Sequence, residues 1–383
     1  MLTKNVFIAL IGFAVGILIG GYFYFIYIKP SFPAQPTEKA SKQVIGFLPY
    51  WQLNNAGPNE DNYITTLTYF ALNVNGEGHI VKLMNPQKKD PGWSALHSGK
   101  VTQIFTNARK KNIRLSLLIS SGNSNDIHQM ISKPIMSADT LVTEVAPIMK
   151  QYHFQDLNLD IEDTATASTQ TRNSFSTFVK EVKHKLNQKH LGTLTVEISP
   201  TDAIIPNLID IRIVGQYADN MIIMAYDYHS SVSFVTGPVA PLTGAGIDLE
   251  YDVTSAVEKT VQQIPPDKVI IGMPLYGYKW ETLTTAIHAP VIPGTGALAS
   301  DNRMESFLPT CTDCNVFFDN ESQEEFVVYK DQDAETFHQI YFPDVQSVVS
   351  TVNLANQKQL SGIALWALGY EGKTMLTPLA SYK

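Results

Sequence analysis

From Val44 onward, short apolar runs rich in β-branched residues alternate with stretches whose apolar positions recur at helical spacing. Eight runs read as strands: VIGFLPY (44–50), LTYFALNV (67–74), IRLSLLIS (113–120), FQDLNLDIE (154–162), LTVEIS (194–199), MIIMAY (221–226), VIIGMPLY (269–276) and GIALWAL (362–368). Most are continuously apolar, as expected when helices cover a parallel sheet. Helical patterns fill 101–112, 141–152, 175–186 and 344–359, and Asn75–Leu83 reads as a small hairpin extension. Eight strands with intervening helices predict a closed (β/α)8 TIM barrel over 44–383 rather than an open sheet.

One interval breaks the rhythm. About 68 residues separate Tyr276 from Asp344, too many for a loop and a helix. They predict an inserted subdomain, 280–330, after the seventh strand. Insertions at the C-terminal ends of barrel strands line the mouth. Cys311 and Cys314 lie inside it, either as a local disulfide or as free thiols; a redox or metal role lacks visible partners.

The pattern before Val44 is different. Asn5–Ile28 carries no charged residue over 24 positions. As a helix it would reach roughly 36 Å, enough for a hydrocarbon core of ~30 Å. Residues 1–29 are therefore expected to form an N-terminal transmembrane helix and membrane anchor, with Tyr22, Tyr24 and Tyr27 at one interface. A cleaved signal peptide is the alternative, though its apolar region would be shorter and a small-x-small site would follow. Residues 30–43, with three prolines and little apolar content, read as an extended linker. Gly12, Gly16 and Gly20 form one helical stripe and give a weak expectation of dimerisation through that face. An anchor of this kind predicts a single-pass membrane protein with its folded domain outside the cytoplasm.

Charge narrows the partners. The net charge is −8, and because residues 1–43 hold four lysines and one acid, the remaining domain carries about −11. Such a surface excludes a nucleic-acid binder, which needs basic residues to displace counterions. Two cysteines and nine histidines without ligand spacing indicate no metal site and no cofactor.

The chemistry concentrates on the fourth strand. Asp156, Asn158, Asp160 and Glu162 alternate with Leu157, Leu159 and Ile161, so the polar set points into the barrel. Such a face is costly inside a barrel built for stability, where Val, Ile and Leu would serve. Glu162 ends the strand and Asp160 sits about 6–7 Å below it on the same face. Two adjacent acids cannot both ionise freely, so one should hold a proton for general acid work. A solvated edge strand would also show this pattern.

The run FQDLNLDIE resembles the catalytic-strand signature of glycoside hydrolase family 18, D-x-x-D-x-D-x-E. MAYDYH (224–229) is similar to the family's M-x-Y-D element, and VIGFLPYW, IGMPLYGYKW and SGIALWALGYEG to its first, seventh and eighth strands. The resemblance spans Val44–Gly372. It departs at Gln155, Asp156 and Asn158, which replace Asp, Gly and Asp, and at LISSGN (118–123), a degraded Ser-x-Gly-Gly element. An Asn at the middle position is familiar in the bacterial cell-wall and spore-type branch of the family.

The resemblance implies substrate-assisted hydrolysis of β-1,4 linkages at N-acetylglucosamine residues in peptidoglycan or a chitin-like glycan. It makes Glu162 the general acid/base, Asp160 the residue that orients the acetamido group, and Tyr226 a hydroxyl donor to its carbonyl. Asn158 would hold Asp160 by hydrogen bond. Asp227 would contact the sugar or Tyr226, Trp366 would floor the sugar site, and Tyr50, Phe70 and Tyr276 would contact substrate. Core packing is the alternative reading of Trp366 and Tyr226. Two function classes follow: an active, tethered glycosidase, or a glycan-binding, lectin-like barrel that has lost turnover.

Overall fold

The computed structural model describes residues 42–55, 60–163, 165–245 and 250–382. The expected apolar helix over 5–28, its glycine stripe and residues 30–41 of the linker lie outside them. Among the described residues, no helix is long and apolar enough to cross a membrane.

Eight parallel strands close into a barrel: β1 (Gln43–Pro49), β2 (Thr66–Asn73), β3 (Arg114–Ser121), β4 (Asp156–Ile161), β5 (Thr193–Ile198), β6 (Asn220–Ile223), β7 (Val269–Pro274) and β8 (Gly362–Trp366). Each pairs with its sequence neighbour, and β8 returns to β1 with Gly362 opposite Gln43. All eight apolar runs are strands. The sixth is shorter than its run, because Ala225 and Tyr226 donate their N–H groups to Ile223 and Met224 and the chain curls off the sheet at the mouth.

Helices cover the outside where the 3.6-residue period placed them: Gly99–Lys110, Pro134–Tyr152, Thr169–Gln188 and Val345–Gln357. Three of these starts are set by side-chain caps, and Pro134 opens the other. Ser98 accepts from the Val101 N–H, Ser168 from that of Thr171, and Asp344 forms a capping box with Ser347. Leu141, Val142, Val145 and Met149 bury one stripe of the second of these helices against the sheet. Beyond β2, Val74 bridges Ile80 around a tight turn, and a second hairpin pairs Leu83–Asn85 with Lys88–Lys89.

The barrel interior has two unlike halves. Ile45, Phe47, Ala71, Leu118, Ile222, Ile270 and Ala364 pack together beneath Phe70 and Trp366. On β4 and β5 the interior is instead polar, with Asp156, Asn158, Asp160, Thr195 and Glu197 buried. After β7 the chain enters a five-stranded antiparallel sheet, in the order Ala297–Ser300, Tyr276–Thr282, Phe337–Phe342, Glu324–Lys330 and Asn315–Asp319. One face of it packs Tyr276, Tyr278, Trp280, Phe326 and Tyr341 together. Cys311 and Cys314 are joined by a disulfide.

Candidate active site

A cavity of about 380 Å³ opens at the C-terminal end of the barrel, lined among others by Phe70, Asp160, Glu162, Glu197, Tyr226, Asp227 and Trp366. Strand β4 delivers its carboxyls in a column. At the bottom, Asp156 accepts hydrogen bonds from Ser116 (2.7 Å), Thr193 (2.5 Å) and Thr195 (3.1 Å). Burial nonetheless lifts it to about 6. Above it, the Asn158 amide donates to Glu197 Oε1 at 2.6 Å. The bond from Asn158 to Asp160 expected from the resemblance is therefore replaced by one to β5.

Asp160 is buried and lies within hydrogen-bonding reach of Glu162, which is solvent-exposed. Burial first, and then the Glu162 carboxylate, push the Asp160 carboxyl well above its usual range, against a weak opposing bond from Ser120. Asp160 therefore keeps its proton to higher pH than an ordinary Asp. Glu197 is raised as well, by burial and by the Asp160 charge, with the Asn158 amide opposing. Three carboxyls cannot all be charged in so small a space.

Tyr226 stands over this group because β6 ends early. Burial, followed by the charges of Glu197 and Asp160, keeps its hydroxyl protonated and a donor. The space it occupies depends on Gly272 of β7: a Cβ there would come within 3.0 Å of the Tyr226 ring and 2.7 Å of the Ile223 carbonyl oxygen. Asp227, in the left-handed region at φ 59°, accepts from the hydroxyls of Tyr276 (2.7 Å) and Tyr278 (3.1 Å). Tyr276 thus belongs to the inserted sheet and holds Asp227, and it does not line the cavity.

Aromatic rings form the opposite wall. Trp366 lies 4.6 Å from Phe70 and 5.8 Å from Phe47 by ring centroids. Tyr50 packs against the outer core and does not line the cavity, whereas the exposed Trp51 stands 6.3 Å from Trp366 by ring centroids. The sequence reading missed Trp51 and Glu197. Glu197 was visible as the one charge in LTVEIS, two residues from an inward-facing Thr195. Among the described residues, one His/Asp/Glu cluster has metal-like spacing, Glu281, Asp331 and His338 in the inserted sheet, with ligand atoms within 4.8 Å of one another. None of the three lines the cavity.

The chain as a whole matches known proteins in sequence and in fold. The family model described as glycosyl hydrolases family 18 matches residues 43–371. The chain is 27% identical over 341 residues to YdhD of Bacillus subtilis (strain 168), which carries the name of a sporulation-specific glycosylase; the match covers 86% of this chain and 73% of that one. Its fold superimposes on the Bacillus megaterium QM B1551 spore cortex-lytic enzyme SleL with a TM-score of 0.69 at 18% identity, covering 90% of this chain and 75% of that one. It superimposes on the Ostrinia furnacalis group IV chitinase crystallised with allosamidin with a TM-score of 0.76 at 19% identity, covering 89% and 98%. The chain belongs to glycosyl hydrolases family 18.

Proposed function

We propose that this glycosidase is membrane-tethered and cleaves β-1,4 linkages at N-acetylglucosamine residues by substrate-assisted, retaining catalysis with Glu162 as general acid/base. The observation that carries the reading is the buried Asp160 carboxyl within hydrogen-bonding reach of the exposed Glu162, both lining an aromatic-walled cavity. Glu162, at the exposed end, gives a proton to the glycosidic oxygen as the C1–O bond breaks. The N-acetyl carbonyl oxygen of the same sugar bonds to C1, forming an oxazolinium ion. Asp160, having passed its proton to Glu162, stays behind as a carboxylate beside the cation. Its Oδ1, a buried oxygen without a hydrogen-bond partner among the described residues, supports the reading that Asp160 accepts the acetamido N–H. Tyr226 donates to the acetamido oxygen, and water deprotonated by Glu162 then opens the ring.

The departures from the family signature leave this machinery untouched. Gln155 is exposed at the start of β4, Asp156 is held by three hydroxyls, and Asn158 neutralises the space beside Glu197 without adding charge. That favours turnover over the lectin-like alternative. The spore cortex-lytic name of SleL and the sporulation-specific name of YdhD, together with the apolar segment at 5–28, favour peptidoglycan over free chitin. Release of reducing ends from purified peptidoglycan and from chitin oligomers tests the choice. Faster release from peptidoglycan supports it, and release from chitin oligomers alone refutes it.

A further inference from the structure

One sector of the barrel face opposite the active site has a charge unlike the rest of the domain. Three consecutive helix-to-strand turns, 109–114, 150–155 and 187–193, contain Arg109, Lys110, Lys111, Arg114, Lys150 and Lys189, with His153 and His190, and not one Asp or Glu. They lie side by side because β3, β4 and β5 are neighbours in the barrel. Between them a hollow of about 650 Å³ is lined by Arg109, Arg114, Lys150, His153 and His190, with no acidic side chain among its walls. Lys111 is paired with Asp61 from the next turn; Arg114 reaches Thr193 Oγ1 at 3.1 Å.

Cations at helix C-termini offset the helix dipole. That effect accounts for Arg109, Lys110 and Lys150 in last turns. It does not account for Arg114, which lies in β3, for the absence of acids from all three turns, or for the hollow they enclose. In a domain of about −11, three adjoining turns with six Lys or Arg and no acid of their own are a segregation of charge that fits a polyanionic surface. The chain also enters the barrel here, since β1 begins at Gln43 on this N-terminal rim, and the apolar segment ends only about 15 residues earlier in sequence.

We propose that this basic face docks on an anionic phospholipid bilayer, with lipid phosphates seated against Arg109, Arg114 and Lys150. The inference rests on the tethered reading. Basic residues near an anionic leaflet are individually weak and act collectively within a Debye length. Docking by this face turns the cavity at the other end of the barrel away from the lipid, toward the polymer it cuts.

The test uses the full chain reconstituted into vesicles of phosphatidylcholine alone, or of phosphatidylcholine with phosphatidylglycerol, followed by amide hydrogen exchange. The expected result is exchange slowed about fivefold in 109–114, 150–155 and 187–193 in the anionic vesicles only, an effect lost at high salt. The double variant Arg109→Glu/Lys150→Glu loses it while hydrolysing soluble oligomers as before. A chain that co-floats with both vesicle types but shows no lipid-dependent protection there overturns the docking face and leaves the anchor standing. A chain that floats with neither overturns the anchor, and protection by anionic vesicles added from outside then decides the face separately. Equal protection by a soluble glycerol-phosphate polymer without vesicles also overturns it, and assigns the face to that polymer.

Discussion

The side-chain amide of Asn158 donates to Glu197 Oε1 at 2.6 Å, tying β4 to β5 directly beneath the reacting pair. A carboxylate in its place would put a further negative charge among Asp160, Glu162 and Glu197. Asn158→Asp is therefore expected to destabilise the domain near neutral pH and to recover stability under acid conditions, where the added group takes a proton. Thermal melts at two pH values check this; equal loss at both would show that shape matters more than charge. Asn158→Ala leaves Glu197 without its donor and should cost roughly 1–3 kcal/mol.

Gly272 gives Tyr226 its place. A methyl there meets the Tyr226 ring at 3.0 Å, so Gly272→Ala should displace the hydroxyl from the substrate carbonyl. Turnover falls, by an amount approaching the roughly 10²–10³-fold expected for losing one oxyanion-type donor in Tyr226→Phe. Steady-state kinetics beside substrate affinity separate the two parameters. A loss in KM alone would remove Tyr226 from the chemical step.

Because burial and the Glu162 charge raise Asp160, the pair keeps its proton into the range where an isolated Asp would have lost it. Activity should hold through mildly acidic conditions and decline as rising pH removes that proton. Asp160→Asn removes the neighbouring charge, so the residual activity should lose its proton at lower pH and the alkaline limb should move down. The pH profile of kcat/KM reads this shift, and an unmoved limb would detach Asp160 from the titration.

Stability carries the same sign. Asp156 and Asp202 are raised to about 6 and Glu324 to about 7, all by burial. Below the unfolded pKa near 4 both states are protonated and nothing is lost. Between that value and 6–7 the folded chain holds protons that the unfolded chain releases, so stability falls as pH rises through this window. Each group contributes a loss on the order of 2–3 kcal/mol at neutral pH. The melting temperature should be higher near pH 5 than at pH 7.5, and Asp156→Asn should flatten part of the slope.

The barrel was legible because continuous apolar runs and helical periods are local signals, and the acid column was legible because alternation puts Asp156, Asn158, Asp160 and Glu162 on one face. What escaped depends on where alternation stops. β1 ends at Pro49 and continues as a 3-10 turn over Tyr50–Gln52, which sends Trp51 rather than Tyr50 toward Trp366. Tyr276 follows β7 but starts a strand of the inserted sheet, so its ring joins that sheet's aromatic face. The partner of Asn158 lies on a different strand, and only the register of β4 against β5 brings Glu197 within reach.

On the proposed mechanism, Glu162 delivers to the glycosidic oxygen the proton that its buried neighbour Asp160 helps retain. Reducing-end release by the wild-type chain and by Glu162→Gln, measured beside equilibrium binding of the same glycan, tests it most directly. Turnover of Glu162→Gln is expected to fall by several orders of magnitude with binding retained. Equal turnover, or equal inertness of both proteins on every N-acetylglucosamine-containing glycan they bind, would contradict it.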